Sequence, residues 1–265
     1  MTNHETPTSE QTEAEFLRAY NPHEYEPISV TVDLAIFTIR DGVFSVLLIE
    51  RGDHPFKGCW ALPGGFVESD ENTDAAAWRE LAEETGVEQF SGHLEQLRTY
   101  TDPKRDPRMR VISVAHVAFA PNLPDPHAGS DARNARWWAV EELNLDDDTN
   151  PDAPTLAFDH AQILRDAVER VRSKIEYTTL ATEFVGDTFT LPELRRVYQA
   201  VWGSAPDLAN FRRKVIKTAG FVVPTEQHGN VDASGGRPPL LYRKGDATML
   251  QPAMLRPGTD PNSDD

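Results

Sequence analysis

Residues 65–87 constrain the fold of this 265-residue chain more than any other segment. The second half of the segment places Glu80, Glu83 and Glu84 at positions i, i+3 and i+4 of a helix, so the three carboxylates share one face. Taken alone, such an acidic run is more often a solvated helix face. Like charges this close raise each other's pKa, however, and a divalent cation removes that penalty. Hard oxygen ligands suit Mg²⁺ or Mn²⁺, so the segment indicates a metal-binding helix.

The sequence around this helix alternates in the manner of β-strands. Residues 28–36 have apolar side chains at every second position, and Asp41-Gly42 is a strong hairpin-turn signal. Thr73 is the expected N-cap of the acidic helix, and Gly86 is the expected residue that ends it. Further strands are predicted at residues 43–49, 60–62, 93–102, 109–120 and 136–140. The pattern favours a mixed α/β domain.

The composition favours a soluble cytoplasmic protein. The single cysteine, Cys59, cannot form an internal disulfide, which indicates a reducing compartment. The polar, acidic N-terminus is not a signal peptide, and no apolar run reaches the length needed to span a membrane. We therefore expect no membrane contact.

A basic segment near the C-terminus predicts a second domain. The net charge is −17, yet residues 187–245 carry 9 Lys and Arg against 5 Asp and Glu. Thr190 and Glu193 form a capping box, and an apolar stripe follows at helical spacing. A second helix is predicted at 208–219. Together with short strands at 221–225 and 240–243, this gives the order of a winged helix-turn-helix domain.

The second helix of this domain has two faces of different chemistry. Leu208, Phe211 and Val215 are expected to point into a core. A solvated basic face is the simpler interpretation of the other side, but the winged-helix order and the local positive charge favour DNA. Cations suit phosphates, while Asn and Arg suit base edges. The predicted DNA-binding residues are Asn210, Arg212, Arg213, Lys214 and Lys217, with Arg237 entering the minor groove from the wing.

The acidic helix resembles a known family. Gly65, Glu71 and the run RELAEETGV at residues 79–87 match the Nudix box at every specified position. The resemblance to Nudix hydrolases implies an α/β/α sandwich with a mixed sheet and hydrolysis of a nucleoside diphosphate linked to another group. It also implies that Glu80, Glu83 and Glu84 bind the metal, that the Gly64 carbonyl adds a ligand, and that Glu71 holds Arg79.

The loop at residues 103–108 points to the substrate class. Pro103 lies 16 residues after the box, as in ADP-ribose-processing Nudix members, and the RDPR run resembles the corresponding loop of Nudix regulators of NAD metabolism. Arg105 and Arg108 are expected to reach diphosphate or ribose oxygens, and Arg51 is assigned to the same site. A turn with solvated arginines is the alternative.

Catalytic competence depends on a base that the sequence does not clearly supply. Many ADP-ribose hydrolases use an additional Glu beyond the box, but no Glu occurs between Glu95 and Glu141. Asp125 or Asp131 would have to replace it; otherwise Glu80 would serve as the base.

The C-terminal segment resembles the DNA-binding domain of the Nudix-related transcriptional regulators, and the resemblance covers residues 28–245. It implies a homodimeric repressor of NAD-metabolism genes that binds double-stranded operator DNA and senses ADP-ribose. The alternative is a Mg²⁺-dependent ADP-ribose pyrophosphatase that yields AMP and ribose 5-phosphate. The expected organisation is a flexible tail (1–25), a Nudix domain (26–150), a linker and connecting helix that joins the domains or pairs with its copy in a dimer (151–178), a winged helix (179–245) and a second flexible tail (246–265).

Overall fold

The computed structural model describes residues 12–86, 90, 92–126, 132–147, 150, 153–229 and 238–257. Within these ranges no helix is long and apolar enough to cross a membrane. The helices are α1 (Glu13–Ala19), α2 (Thr73–Thr85), α3 (His160–Tyr177), α4 (Leu191–Trp202) and α5 (Leu208–Lys217). The strands are β1 (Ser29–Arg40), β2 (Val43–Arg51), β3 (Trp60–Ala61), β4 (Gly64–Phe66), β5 (His93–Tyr100), β6 (Val111–Phe119), β7 (Ala132–Ala139), β8 (Val222–His228) and β9 (Leu240–Lys244).

Strands β1 to β7 form one mixed sheet. Its central order is β3-β2-β1-β6-β5, with β4 paired to β1 and β7 paired to β2. The β1–β6 pair is parallel and the other pairs are antiparallel. Asp41 and Gly42 turn β1 into β2 with φ of 50° and 80°, the positive values that a two-residue hairpin turn needs. The expected mixed sheet is confirmed.

Both faces of the sheet are covered by helices. Successive side chains of a strand point to opposite faces, so β1 supplies two cores. Leu34 and Ile36 pack with Leu81 of α2, whereas Ala35 and Phe37 belong to the larger core that contains α3. This arrangement is the α/β/α sandwich that the box resemblance implies.

Helix α2 begins one residue earlier than the sequence suggests. The N-cap is Asn72, whose side-chain oxygen accepts the Ala75 N–H at 2.8 Å, and the expected cap, Thr73, is the first residue of the helix. Asn and Thr both cap well, so composition alone does not choose between neighbours. Gly86 ends the helix in the left-handed conformation with φ of 65°, as expected.

Helix α3 joins the two domains. Ile163, Leu164, Val171 and Ile175 are fully buried in the larger core, which also contains residues of α4 and α5. Its apolar face therefore packs within this chain, and of the two expected roles the structure shows the joining one. The segment before α3, at the start of the predicted linker, contacts the sheet, because the Trp60 N–H donates to the Thr155 carbonyl at 2.9 Å.

The C-terminal domain has the predicted order of helix, turn, helix and hairpin. The capping box of α4 is present, and Leu194, Val197, Tyr198 and Val201 are buried as a stripe. In α5, Phe211 and Val215 are buried, but Leu208 is 60% exposed, so the assignment of Leu208 to the core is wrong. Leu208 is the first residue of the helix, and its side chain lies outside the core.

The two chain ends differ from the expected tails. Residues 13–19 form the exposed helix α1, capped by Thr12 and Glu15. Residues 246–257 pack across the end of α3: Leu250 and Met254 are buried, and their N–H groups donate to the Tyr177 and Glu176 carbonyls. Residues 246–257 are therefore packed, unlike the expected tail, whereas α1 is a helix exposed along its length. Leu250 and Met254 are isolated apolar residues in a polar segment, so no apolar periodicity in the sequence predicts their burial.

Candidate functional site

The acidic face of α2 is organised by Arg79. Its guanidinium donates to both carboxylate oxygens of Glu71, at 2.7 and 3.2 Å, and to Glu80 Oε1 at 2.7 Å. A further hydrogen bond reaches the Phe66 carbonyl at 3.2 Å. Hydrogen bonds from Arg79 lower the pKa of Glu71. Arg79 thus lies where the sequence places it, held by Glu71 beside the carboxylates.

The carboxylates of this face are partly desolvated. Burial raises the pKa of Glu80, and burial together with the charges of Glu80 and Glu83 raises the pKa of Glu84 to about 7. Among the described residues, Glu84 Oε2 is a buried oxygen without a hydrogen-bond partner. An orphaned carboxylate oxygen of this kind is costly unless a cation or donor reaches it.

The donor set fits a hard divalent cation, although the side chains do not converge on one point. Carboxylate oxygens are the ligands that Mg²⁺ and Mn²⁺ prefer. In the described part of the chain no group of three or more His, Cys, Asp or Glu residues is arranged to hold a metal ion. Glu80 is engaged by Arg79, and the side chain of Glu83 is 60% exposed. The orphaned oxygen of Glu84 is the observation that fits a cation.

Gly64 and Gly65 bring the acidic face close to β1. Gly64 has φ of 152°, and a Cβ there would overlap the Val32 carbonyl oxygen. A Cβ on Gly65 would overlap Glu80 Oε1. Both glycines therefore permit a close approach that any side chain would block. The metal-ligand role expected for the Gly64 carbonyl remains a prediction.

A cavity of about 380 Å³ opens beside this glycine pair. We call it the arginine cavity, because Arg51, Arg105 and Arg108 line it. Its other lining residues include Thr31, Asp33, Gly64, Gly65, Phe158 and His160. Its volume lies in the range of small-molecule sites. The sequence-predicted loop and box therefore meet at one site.

Arg51 and Arg108 present charge to the arginine cavity. Arg51 donates to the Pro55 carbonyl at 2.8 Å and lies 4.9 Å from the Phe158 ring centroid. Burial and the nearby Arg108 lower the pKa of Arg51, so this guanidinium favours an anionic neighbour. The Arg108 side chain is 41% exposed and pairs with Asp106 at 2.7 Å.

Arg105 lies differently from its expected role. Its side chain is only 4% exposed and forks onto Asp159, with Nε to Oδ2 at 2.9 Å and Nη2 to Oδ1 at 2.7 Å. Nη2 also donates to Asp33 Oδ2 at 3.1 Å. Arg105 already holds two carboxylates in this structure, so a phosphate would have to compete with them for its guanidinium. The expected direct ligand contact of Arg105 is therefore not what this geometry shows.

The predicted site residues Pro103 and Asp125 do not line the arginine cavity. Pro103 lines a neighbouring, more open cavity of about 790 Å³, which shares Arg105 and Phe158 with the arginine cavity. Asp125 pairs with Arg40 of β1. Arg40 lies seven residues along this strand from Asp33 of the arginine cavity, a distance of about 23 Å. Asp125 is therefore too distant to act as a base at the cavity. Asp131 lies outside the described residues.

Two residues that line the arginine cavity, Phe158 and His160, were not predicted as site residues from the sequence. Phe158 has φ of 52° and packs against Phe56 with ring centroids 4.7 Å apart. His160 is buried and accepts the Leu62 N–H through Nδ1 at 2.8 Å, so its ring is packed and hydrogen-bonded. Burial lowers the pKa of His160, so the ring is neutral. A positive φ at phenylalanine has no sequence signal.

The predicted DNA-binding face of α5 is open to solvent. Asn210, Arg212, Arg213 and Lys217 are exposed, and Lys214 is half-buried. Asp207 caps the helix by accepting the Asn210 N–H at 2.9 Å, and Asn210 Oδ1 accepts from Arg213 at 2.9 Å. The helix thus presents an amide and several cations from one side. Arg237, the proposed wing residue, lies outside the described residues.

Comparison with known proteins matches both domains. The family model of the NUDIX domain matches residues 29–158, and that of the NrtR DNA-binding winged helix domain matches residues 181–243. The ADPR responsive transcriptional repressor NtrR of Acinetobacter baylyi is 36% identical over 234 residues, 87% of this chain and 88% of that protein.

Two solved structures share the fold. Shewanella oneidensis NrtR complexed with a 27mer DNA has a TM-score of 0.66 and 31% identity, covering 81% of this chain and 93% of that one. The NUDIX domain of the same NrtR complexed with ADP ribose has a TM-score of 0.53 and 34% identity, covering 61% of this chain and 99% of that one. With both domains matched in the same order, this chain belongs to the NrtR family of Nudix-related transcriptional regulators.

Proposed function

We propose that this chain is an ADP-ribose-responsive repressor of NAD-metabolism genes, which binds operator DNA as a homodimer in the cytoplasm. One observation carries the proposal: helix α3 connects an arginine-lined cavity to a winged helix whose second helix presents cations to solvent. The Acinetobacter relative is named as an ADPR responsive repressor, and the Shewanella neighbour was solved with DNA.

The arginine cavity suits a nucleoside diphosphate. Arg51 and Arg108 supply positive charge to phosphate oxygens; Arg108 forks onto Asp106, but its side chain is 41% exposed, unlike that of Arg105. Thr31 Oγ1 is buried at the cavity and, among the described residues, has no hydrogen-bond partner, so a ribose or phosphate oxygen would satisfy it. The Phe158 ring offers an apolar surface beside these polar groups. The Shewanella domain solved with ADP ribose supports this choice of ligand.

Helix α5 suits the major groove of DNA. Arg213 and Asn210 lie near its N-terminal half, where side chains of a recognition helix reach base edges. Lys214 and Lys217 follow on the same side and would contact phosphates. In a two-fold dimer the two copies of α5 would meet half-sites about 34–36 Å apart, or a multiple of that distance.

The direct test is DNA binding with and without the nucleotide. Full-length protein is titrated against labelled DNA from upstream of its neighbouring genes and against a shuffled sequence, at physiological salt. We expect a preference for the upstream DNA that changes when ADP-ribose is added but not when AMP plus ribose 5-phosphate is added. Equal affinity for both DNAs at this salt concentration would sink the proposal, because phosphate attraction alone is non-specific.

A hydrolase remains the second candidate, favoured by the orphaned oxygen of Glu84 in an intact box. Glu80, Glu83 and Glu84 would hold Mg²⁺ or Mn²⁺, and such an ion neutralises diphosphate charge and lowers the pKa of a bound water. The chain's own residues would orient the diphosphate through Arg51 and Arg108. Release of AMP from ADP-ribose is compared for wild type and Glu83→Gln, and equal inactivity eliminates this candidate.

A further inference from the structure

Helix α3 begins at the wall of the arginine cavity and ends within the winged-helix core. Phe158 and His160 line the cavity at its start. Near its other end, Arg172 Nε donates to the Val201 carbonyl of α4 at 3.1 Å, and Ile175 is fully buried. Eighteen helical residues span about 27 Å. One continuous helix therefore connects the wall of the arginine cavity with the DNA-binding domain.

The N-cap residue of α3 does not cap the helix. Asp159 precedes the first turn, yet its side chain makes no capping hydrogen bond. An Asp at this position normally accepts an N–H of the first turn. Here both of its carboxylate oxygens accept from Arg105, at 2.9 and 2.7 Å. The pair holds the start of α3 by a charged contact instead of a cap.

Arg105 connects this helix start to the sheet beneath the cavity. Its Nη2 also donates to Asp33 of β1, and Ser113 of β6 donates to the same Asp33 oxygen. His160 accepts the Leu62 N–H through Nδ1, and its Nε2 lies 3.6 Å from Asp33 Oδ1. Arg105, Asp33 and His160 are all buried and all line the arginine cavity. An anion in the cavity therefore acts directly on the groups that fix α3.

We propose that the Arg105–Asp159 pair is the element that transmits occupancy of the arginine cavity to the winged helix. The inference rests on the proposed function and names its regulation. A nucleoside diphosphate in the cavity attracts the Arg105 guanidinium and weakens its hold on Asp159. The backbone of Asp159, now at φ −99° and ψ 19°, then turns to the extended conformation of a capping residue, and the freed carboxylate caps the first turn of α3. Arg105 acts as a positioning residue in this scheme, and α3 shifts with the exchange.

The key variant is Asp159→Asn, which removes the charged pair but keeps a side chain that caps well. Its matched control is Glu169→Gln on the same helix, because Glu169 is also forked by an arginine, Arg256, at 2.6 and 3.1 Å, away from the arginine cavity. Promoter affinity is measured by fluorescence anisotropy with and without saturating ADP-ribose. ADP-ribose binding to the DNA-free protein is measured by calorimetry, and thermal unfolding confirms that each variant is folded.

In wild type we expect ADP-ribose to change promoter affinity by about 5–150-fold, the usual size of allosteric coupling. In Asp159→Asn we expect this ratio to fall to near one while ADP-ribose still binds, whereas Glu169→Gln keeps the wild-type ratio. Arg105→Lys retains the charge but loses the planar fork, so it should lower the ratio as well. It serves as the second variant if Asp159→Asn does not fold.

Three outcomes overturn the inference. Wild-type ratios in both Asp159→Asn and Arg105→Lys would show that the pair carries no signal. Loss of ADP-ribose binding in Asp159→Asn would place Asp159 in ligand binding, and an equal loss of coupling in Glu169→Gln would indicate a general effect on α3. A wild type that binds promoter DNA without responding to ADP-ribose would instead contradict the proposed function itself, so the two failures are distinct.

Discussion

Two helices of this chain carry charged faces, and the faces are built in opposite ways. On α2, Glu80 is buried and burial raises the pKa of Glu84 to about 7. On α5, Arg213 and Lys217 are exposed to solvent. Ionised groups cost free energy when they leave water and little when they stay in it. The acidic face therefore costs stability until something binds it, whereas the basic face is held at little cost.

Because of this difference in burial, the two faces suit different ligands. Half-buried carboxylates suit a small cation, because the electrostatic interaction is stronger away from bulk water. Exposed cations suit an extended polyanion, whose many phosphates each contribute a modest, salt-dependent term. Substitutions on the two faces should consequently act on different quantities.

The largest effect should come from the buried side of α5. Phe211 is 1% exposed and packs against Tyr198 with ring centroids 5.5 Å apart. We expect Phe211→Ala to lower the free energy of unfolding by about 3–5 kcal/mol, since it removes a large ring from a packed core. Leu208→Ala on the same helix should change it by less than about 0.5 kcal/mol. Urea denaturation measures both, and a large loss for Leu208→Ala would contradict the separation of faces.

On the exposed side of α5, the effect should appear in DNA binding alone. Arg213→Ala should weaken operator binding by about 1–3 kcal/mol if Arg213 reads a base edge, and Lys217→Ala should reduce the salt dependence by about one phosphate contact. Arg98→Ala is the control, because Arg98 is 67% exposed but lies on the Nudix sheet. Anisotropy titrations at several salt concentrations give both quantities. A wild-type affinity and salt slope for both α5 variants would remove this helix from the DNA interface.

A paired carboxylate should behave unlike the acids of α2. Although burial acts to raise it, hydrogen bonds from His93, Lys174 and Arg170 lower the pKa of Glu95 to about 2. Because this value lies below the ordinary 4.5, the stabilisation is present above about pH 4.5 and is lost as the pH falls toward 2.

Glu95→Gln should therefore lower the free energy of unfolding at pH 7 by about 2 kcal/mol, and the difference from wild type should vanish near pH 2. Glu142→Gln is the matched control, since its partner Arg136 and Glu142 itself are about half exposed and such pairs contribute little. Denaturation curves between pH 2 and 7 test this. A difference for Glu95→Gln that does not depend on pH would show that packing, and not the charge, is what the substitution removes.

The sequence predicted the elements well where periodicity or chemistry was local. The acid spacing of α2, the Asp41-Gly42 turn and the Thr190 capping box each depend on neighbours within a few residues, and all are present. The sequence did not predict contacts between residues that lie far apart in the chain. Arg105 has the chemistry of a phosphate ligand, yet Asp159, 54 residues away, takes its fork. Likewise, the burial of Leu250 depends on a contact with the end of α3 that no local pattern encodes.

The smallest effect should come from Glu84 and is the most specific to the acidic face. The pKa of Glu84 in the fold lies above its ordinary 4.5, so its ionisation costs stability as the pH rises from about 4.5 through 7. At pH 8 in EDTA we expect Glu84→Gln to raise the free energy of unfolding by about 1 kcal/mol, a figure that allows for partial exposure. Glu83→Gln, at a side chain that is 60% exposed, should change it little.

Adding Mg²⁺ should make wild type more stable than Glu84→Gln, which reverses the order of their stabilities in EDTA. A cation that binds the folded protein stabilises it in proportion to occupancy, so wild type should gain stability as Mg²⁺ is titrated, whereas Glu84→Gln should gain less. Thermal unfolding in EDTA and in increasing Mg²⁺, at pH 8 and pH 5, measures both effects. The Mg²⁺ gain should shrink at pH 5, because protons then compete for Glu84. If Glu84→Gln destabilises the protein in EDTA, the buried oxygen has a partner within the fold, and the contrast between the two charged faces is lost.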